Sequence, residues 1–443
     1  MSDATSHNRT FRRIAWRILP FLFACYVLNF IDRVNIGFAK LQFMHDLRFT
    51  EAAYGTATAL FFVAYALFEV PSNLLLTKIG ASRTLMRIMT LWGAVTALQT
   101  FMTNAGVLYV LRFLLGAAEA GFFPGMILFL SYWFPDRLRA RINSILMLAV
   151  PIAGMLGGPL SGWIMSNLNG HLDLRGWQWL FLIEGLPAIA LGALAPLLLC
   201  DSPGKARWLS TQEKDAVQRA LKADASHRDP MLHAGAPLRD ILRAPRILVL
   251  AAVYFCIYIG LIAVAFWSPT ILRHAGAASV SEIGWIAGIV SFVTMLANLA
   301  IAYSSDRYNE RRWHVAGCGF AAAACLLALP AAAHSVVATA ALLALAQMTS
   351  FTMPIVFWTI PTRLLSGRAA AAGIALISMS GSIGGAIGSW LIGSVSARTG
   401  SPYVAMSVVA AILLLGMLLL LGCIKQTRRD PDGTTIGVVG SEI

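Results

Sequence analysis

Long apolar runs dominate this sequence and limit the chain to a membrane-embedded, all-helical fold. Hydrophobic residues make up 58% of the 443 residues and charged residues only 12%, whereas soluble domains carry about 25% charged residues. Each run has about 20 residues or more, enough for a helix to cross a hydrocarbon layer ~30 Å thick. The runs are continuously apolar and do not alternate, which excludes barrel strands. The twelve predicted spans are 14–38, 53–78, 84–103, 107–130, 142–166, 177–200, 247–272, 283–304, 313–333, 335–360, 369–396 and 402–424.

The positive charges indicate how these helices are oriented. With the amino terminus in the cytoplasm, most of the 34 Lys and Arg fall on the cytoplasmic side, including those within 9–17, 137–141 and 307–312. The outward loops hold few, among them Lys40. This asymmetry predicts that both termini are cytoplasmic. It also assigns the net charge of +13 to membrane topology, so nucleic acid is not an expected partner.

The longest polar stretch divides the chain into two similar halves. Its portion S-T-Q-E-K-D-A-V-Q-R-A-L (210–221) predicts a short amphipathic helix capped at Ser210 or Thr211. Short basic turns at 73–83 and 302–312 recur at the same place in each half, as parallel repeats would require. The predicted units are an amino-terminal six-helix bundle at 1–200, a cytoplasmic linker at 201–246, a carboxy-terminal six-helix bundle at 247–424 and a cytoplasmic tail at 425–443.

Several motifs resemble those of one family. The turn A-Y-S-S-D-R-Y-N-E-R-R (302–312) is similar to the loop signature G-x-x-x-D-R-x-x-x-R-R of the major facilitator superfamily, with Ala302 replacing its glycine. The first-half copy is more degenerate, with Thr77 at the aspartate position. Further stretches, which span nearly the whole chain, resemble the anion:cation symporter branch of that superfamily. They are N-F-I-D-R-V-N-I-G (29–37), F-E-V-P-S-N (68–73), E-A-G-F-F-P-G (119–125), Y-W-F-P-D-R-L-R-A-R (132–141), F-W-S-P-T-I-L (266–272) and G-I-A-L-I-S-M-S-G-S-I-G-G (373–385).

The resemblance implies a fold and a class of cargo. That branch includes bacterial permeases for sugar acids, tartrate, phthalate and hydroxyphenylacetate, and animal carriers for glutamate and sialic acid. The fold it implies is twelve helices in two pseudo-symmetric six-helix bundles that rock about a central site. It also implies a gating role for Asp306, Arg307 and Arg311 in the turn between helices 8 and 9.

Ionisable residues inside the apolar runs are the candidate site. A charge at the bilayer centre costs roughly 2.5–3.5 kcal/mol on insertion scales, so these groups must pair or line a wet cavity. With helix 1 ending near residue 38, Arg33 would lie about 8–9 Å below its outer end, and Arg112 at a similar depth. Glu119 follows Arg112 on the same face of helix 4, roughly 10 Å deeper. The six residues are Asp32, Arg33, Glu69, Arg112, Glu119 and Glu184.

Two arginines and two acids receive functional roles. Arg33 and Arg112 are predicted to bind the substrate carboxylate through forked hydrogen bonds. Asp32 and Glu119 are predicted to couple protons, because an acid that loses its arginine to a substrate tends to take up a proton. The resemblance implies the same roles. The alternative is a structural pairing, in which Arg33 neutralises Asp32 or Glu119 and Arg112 neutralises the other acid.

Other candidates are assigned with less direct arguments. Asn29 shares a helix face with Arg33 and would order it. Tyr65 is predicted to face the cavity, as the resemblance implies, and Tyr258 and Trp358 are further candidate substrate contacts. Ser378, like Ser382, stands where relatives often carry asparagine, which leaves a less hydroxylated or aromatic acid open. Glu69 is expected in a broken helix and Glu184 at a packing position, while the glycines of 154–162 and 381–388 allow close helix packing.

The predicted function is proton-coupled uptake of an organic anion into a bacterial cytoplasm. The cargo would be a sugar acid, a dicarboxylate or an aromatic acid, and the carrier would act as a monomer in the inner membrane without a cofactor. The six cysteines form no C-x-x-C and the eight histidines lie outside the helix cores, so no metal site is predicted. An exporter or antiporter is the main alternative, and a sensor that binds an acid without moving it is another. An enzyme is not expected, because the sequence has no nucleophile–base pair.

Overall fold

The fold is a bundle of long helices in two halves. The computed structural model describes residues 2–226, 244–308, 310–364 and 367–424. We number the membrane helices α1 to α12 in chain order, and count a helix with a local break as one. The amino-terminal half contains α1 (Ser2–Asp46), α2 (Glu51–Ile79), α3 (Ala81–Leu98), α4 (Ala105–Glu119 and Phe122–Ser131), α5 (Asp136–Met147 and Ala149–Asn167) and α6 (Gly176–Leu198).

The carboxy-terminal half repeats this arrangement. Among the described residues, eleven helices are long and apolar enough to span a membrane. The less apolar helix α3 completes the set of twelve. Arg83 and Arg87 make α3 less apolar, and it is covered by α6, which approaches closely where Gly93 meets Gly185. The predicted twelve-helix fold in two bundles is therefore confirmed. The second half contains α7 (Pro245–His274), α8 (Val280–Arg307), α9 (Arg312–Ala328), α10 (Val336–Phe357 and Thr359–Leu364), α11 (Gly367–Thr399) and α12 (Pro402–Cys423).

One end of the bundle, which we call the linker end, carries the start of α1 and the linker helix Thr211–Ser226. The Ser210 hydroxyl accepts from the Glu213 backbone N–H, and the Glu213 carboxylate accepts from the Ser210 N–H at 2.9 Å, so the predicted helix cap is confirmed. Arg13 holds this helix on α1 through Glu213, 3.3 Å away. The predicted linker remainder at 227–243 and the tail at 425–443 lie outside the described residues.

At the opposite end, which we call the hairpin end, the two halves are in close contact. A Cβ atom added to Gly158 of α5 would lie 2.6 Å from the backbone oxygen of Gly284 on α8. A Cβ on Gly55 of α2 would lie 2.8 Å from the Gly393 Cα of α11. Because such distances are too short for any side chain, these glycines let the backbones of opposite halves touch. The packing role predicted for 154–162 is confirmed, and this end of the structure is closed.

The predicted end of helix 1 is wrong. α1 continues past residue 38 to Asp46, because Gln42 and Asp46 hydrogen-bond to Trp177 at the start of α6. Lys40 is therefore not in a loop but inside α1, with only 2% of its surface exposed. Its ammonium lies 2.6 Å from the Glu51 carboxylate. Arg33 consequently lies about 20 Å from the end of α1, much deeper than the sequence estimate.

Candidate functional site

The centre of the amino-terminal half contains an arginine–glutamate ion pair at a break in α4. Gly121 interrupts the helix with φ 85°, a left-handed conformation in which any Cβ would lie 2.6 Å from the Ser72 hydroxyl. Glu119 is the last residue of the first segment of α4, so the break begins directly after it. Arg33 Nη2 donates to Glu119 Oε2 at 2.6 Å. Glu119 is fully buried, whereas 19% of the Arg33 side chain is exposed, so solvent can reach this pair from the Arg33 side.

Aromatic rings on α2 form a wall against both arginines. The Arg33 guanidinium carbon lies 5.6 Å from the Phe61 ring centre and 5.3 Å from that of Tyr65. The Arg112 guanidinium carbon lies 4.9 Å from the same Phe61 ring. Such cation–π contacts stabilise desolvated guanidinium groups. Tyr65 thus lies beside Arg33, and Phe61, one helical turn away, is a residue that the sequence analysis did not single out.

Around the ion pair, buried nitrogen donors outnumber acceptors. Arg112 is completely buried, yet its Nε, Nη1 and Nη2 have no hydrogen-bond partner in the part of the chain that the structure describes. Arg33 Nε and Asn29 Nδ2 also lack an acceptor among the described residues, where the unpaired buried oxygens of this region are Glu119 Oε1 and Asn35 Oδ1. Leaving such groups unpaired is costly. The cluster of Asn29, Arg33 and Arg112, which we call the donor cluster, suits a ligand that brings acceptor oxygens.

The Asp32 side chain points in a different direction from that of its neighbour Arg33. Its carboxylate accepts hydrogen bonds from Trp92 Nε1 at 2.7 Å, Thr96 Oγ1 at 3.0 Å and Asn35 Nδ2 at 3.0 Å. No salt bridge joins it to Arg33, because the two residues lie about 100° apart around the helix. Of the pairings that the sequence left open, Arg33 with Glu119 is the one the structure forms. Asp32 is held by neutral donors inside the amino-terminal half.

A second buried acid is joined to Asp32. Asn35 Nδ2 also donates to Glu184 Oε2 at 2.7 Å, and Ser161 Oγ donates to Glu184 Oε1 at 3.1 Å. Glu184 is therefore part of a polar network of α1, α5 and α6, and not only a packing residue. Asn35 lies inside the quoted motif at 29–37, three residues after Asp32, so helical spacing alone could have placed these two side chains together.

The carboxy-terminal half contributes an aromatic cluster. Trp358 Nε1 donates to the Tyr254 hydroxyl at 3.2 Å, and the Tyr254 and Tyr258 ring centres are 5.9 Å apart. Tyr258 meets Phe62 of the other half edge to face at 6.1 Å. The structure thus brings Tyr258 and Trp358 together through Tyr254, which the sequence analysis missed. Ser378 is half-buried on α11.

The turn predicted to act in gating is partly ordered by hydrogen bonds. Arg311 Nη1 donates to Ser305 Oγ at 2.8 Å, and this hydroxyl donates to the Glu310 carbonyl at 2.8 Å. Arg307 is exposed at the end of α8. The Asp306 side chain lies outside the described residues. The gating role of this turn stays a prediction.

Twelve apolar helices in two bundles, with buried charges gathered near the centre, define a multi-pass membrane transport protein. The Major Facilitator Superfamily model matches residues 22–278 and 271–437, and the chain belongs to this family. The predicted membership is therefore confirmed. Because this is a family of transporters, the protein is not an enzyme.

Similar proteins include carriers with different named cargoes. A "putative tartrate transporter" of Agrobacterium vitis is 42% identical over 96% of this chain and 94% of its own length. A "quinolone resistance transporter" of Acinetobacter baumannii is 38% identical over 92% of this chain and 93% of its own. The crystal structure of a bacterial homologue of the human lysosomal transporter Spinster, in an inward-facing and occupied conformation, has a TM-score of 0.71. It is 16% identical and covers 91% of this chain and 95% of the other, so the likeness concerns the fold alone.

Proposed function

We propose that the protein takes up an organic anion together with protons across a bacterial inner membrane. The observation that carries this proposal is the donor cluster, in which Arg112 is completely buried and no described residue accepts a hydrogen bond from it. A carboxylate supplies two acceptor oxygens with a geometry that matches a guanidinium. The similarity to a relative named as a putative tartrate transporter supports the same class of cargo.

Binding begins at Arg33, which is the exposed member of the pair. The incoming carboxylate competes with Glu119 for the Arg33 guanidinium, while the Phe61 and Tyr65 rings hold that group in place. A second carboxylate of the substrate, or the same carboxylate after a small shift, then binds Arg112. Tyr258 and Trp358 of the other half contact the remainder of the substrate when the halves close around it.

Charge balance links the anion to protons. In the structure, Arg33 pairs with Glu119 at 2.6 Å, so a carboxylate that takes over Arg33 leaves the buried Glu119 without its cation. A bound anion adds negative charge to a buried site, where each uncompensated charge costs several kcal/mol. Protonation of Glu119, and of Asp32 when a second carboxylate engages Arg112, restores neutrality. Anion and proton therefore promote each other's binding, which is the coupling that symport requires.

Alternating access supplies the movement. The structure is closed at the hairpin end, where glycines of α2, α5, α8 and α11 bring the halves together. We assign the hairpin end to the outside and the linker end to the cytoplasm, following the distribution of positive charge. Opening the hairpin end then exposes the donor cluster to external substrate. The carrier works as a monomer in this scheme.

The test is uptake by the purified protein in liposomes. With a more acidic outside, the wild type should concentrate labelled tartrate. Arg112→Ala should abolish uptake, because the variant lacks the buried cation that binds the anion. Arg273→Lys is the control, since Arg273 bonds backbone oxygens of Ala277 and Ala278 at the hairpin end. Uptake that ignores the pH gradient, or that survives in Arg112→Ala, would contradict the proposal.

Export of an aromatic acid is the second candidate. The observation that favours it is the 38% identity to a protein named as a quinolone resistance transporter. Quinolones carry a carboxylate on a flat ring system, which the donor cluster and the rings of Phe61 and Tyr65 would also suit. Inside-out vesicles with a more acidic interior separate the two functions. Only an exporter accumulates a quinolone in such vesicles.

A further inference from the structure

A pocket lined by no charged residue lies between the two halves. It is lined by α1, α5, α7, α8 and α10, and most of its polar groups belong to the carboxy-terminal half. Ser291, Thr294 and Asn298 follow one another on one face of α8 at spacings of three and four residues. Gln347 of α10 reaches the same place, where its Nε2 donates to Ser291 Oγ at 3.3 Å. The pocket therefore offers hydroxyl and amide groups among mainly apolar side chains, and its lining includes no ionisable side chain.

One of these groups has no partner. Thr294 is only 3% exposed, and its hydroxyl makes no hydrogen bond to any described residue. Threonine hydroxyls in helices usually bond a carbonyl one turn back, as Thr349 does with Leu345 at 2.8 Å. A buried hydroxyl that lines a pocket and is left without a partner indicates a ligand with hydrogen-bonding groups of its own.

The pocket adjoins the donor cluster on α1. Phe30 and Val34 line the pocket, and they directly follow Asn29 and Arg33 in the sequence. Because consecutive helical residues are about 100° apart, the pocket and the donor cluster occupy neighbouring faces of the same stretch of α1. An acid that extends from one of these faces to the other contacts both the arginines and the polar groups of α8.

We propose that this pocket binds the hydroxyl groups of the cargo, so that the transported class is hydroxylated carboxylates. The proposal rests on the proposed function, because it describes the other end of the same bound acid. The Thr294 and Ser291 hydroxyls and the Gln347 amide can each donate to or accept from a substrate hydroxyl. A site built in this way rejects an analogue without hydroxyls, since its own buried groups then stay unpaired. Simple dicarboxylates are consequently poor cargo.

The experiment compares tartrate with succinate, which has the same four carbons and two carboxylates but no hydroxyl. In proteoliposomes under a pH gradient, the wild type should favour tartrate at least tenfold in kcat/KM. Thr294→Val keeps the shape and removes the hydroxyl, so tartrate uptake should fall about tenfold while succinate uptake changes less than twofold. Ser291→Ala should act in the same direction. Thr339→Val is the control, because the Thr339 hydroxyl bonds the Ala332 carbonyl away from the pocket.

The outcomes separate the two proposals. Equal uptake of succinate and tartrate, or an equal loss of both in Thr294→Val, overturns the hydroxyl-binding pocket and leaves proton-coupled anion uptake standing. Uptake of neither acid by the wild type under the gradient overturns the proposed function, and the pocket assignment with it. A thermal-shift titration with tartrate on each purified variant shows whether the variant is folded and able to bind.

Discussion

The buried lysine at the hairpin end provides a quantitative test of how the closed state is held. The Lys40 ammonium is 2.6 Å from Glu51, 4.3 Å from the Tyr54 ring centre and 5.3 Å from that of Trp267. Lys40, Glu51 and Tyr54 belong to the amino-terminal half, whereas Trp267 belongs to the other. The Tyr54 hydroxyl also donates across the interface, to the Phe266 carbonyl at 3.3 Å. Lys40 thus stabilises both the fold and the contact between halves.

The expected magnitudes differ between the two partners. Glu51→Ala leaves a fully buried ammonium without an anion, and breaking a buried pair in this way costs about 3–5 kcal/mol of unfolding free energy. Lys40→Met leaves Glu51, which is 21% exposed and can reach water. Its cost is therefore smaller, about 2 kcal/mol, and comes mostly from the lost cation–π contacts. The double variant Lys40→Met with Glu51→Ala should be more stable than Glu51→Ala alone.

The assay is a double-mutant cycle measured by thermal denaturation in detergent. Glu282→Ala is the matched control, because Glu282 likewise lies in the first turn of a helix but is only partly buried, and its carboxylate caps the Ala278 N–H. It should cost below about 1 kcal/mol. If Lys40→Met proves as damaging as Glu51→Ala, or if the two effects simply add, the ion pair does not stabilise the hairpin end as described.

Three further outcomes follow from the packing. Glu184→Gln should keep uptake within about threefold, because an amide can replace the contacts with Asn35, whereas Glu184→Leu should lower the melting temperature and cost about 1–3 kcal/mol. Gly158→Leu should reduce uptake at least tenfold in proteoliposomes, since its side chain overlaps the α8 backbone and prevents closure of the hairpin end. Trp208→Ala should make the linker more sensitive to limited proteolysis, because Trp208 stacks on Trp133 with ring centres 5.8 Å apart.

The twelve-helix fold was predictable because run length and polarity alone decide whether a segment can cross a membrane. Helix ends were less predictable. The segment from Lys40 to Asp46 is polar enough to resemble a loop, yet it stays helical because Gln42 and Asp46 bond Trp177, far away in the sequence. That tertiary contact has no local signal, and so the depth of Arg33 was underestimated.

The site was predictable as a set of residues but not as a set of contacts. Charges in apolar helices single out Arg33, Arg112 and Glu119 because each is costly there. Which arginine meets which acid depends on helix rotation and on the break at Gly121, and neither can be read from spacing. The hydrogen bonds of Asp32, and the lack of an acceptor for Arg112 among the described residues, can therefore be seen only in the structure.

The central claim is tested most directly by separating exchange from accumulation in Glu119→Gln. Glutamine keeps a hydrogen-bond acceptor for Arg33 but cannot take up and release a proton. In proteoliposomes, this variant should exchange labelled for unlabelled tartrate at a rate near that of the wild type, and it should not concentrate tartrate under a pH gradient. Accumulation that persists in Glu119→Gln would show that the proton is carried elsewhere and would contradict the account.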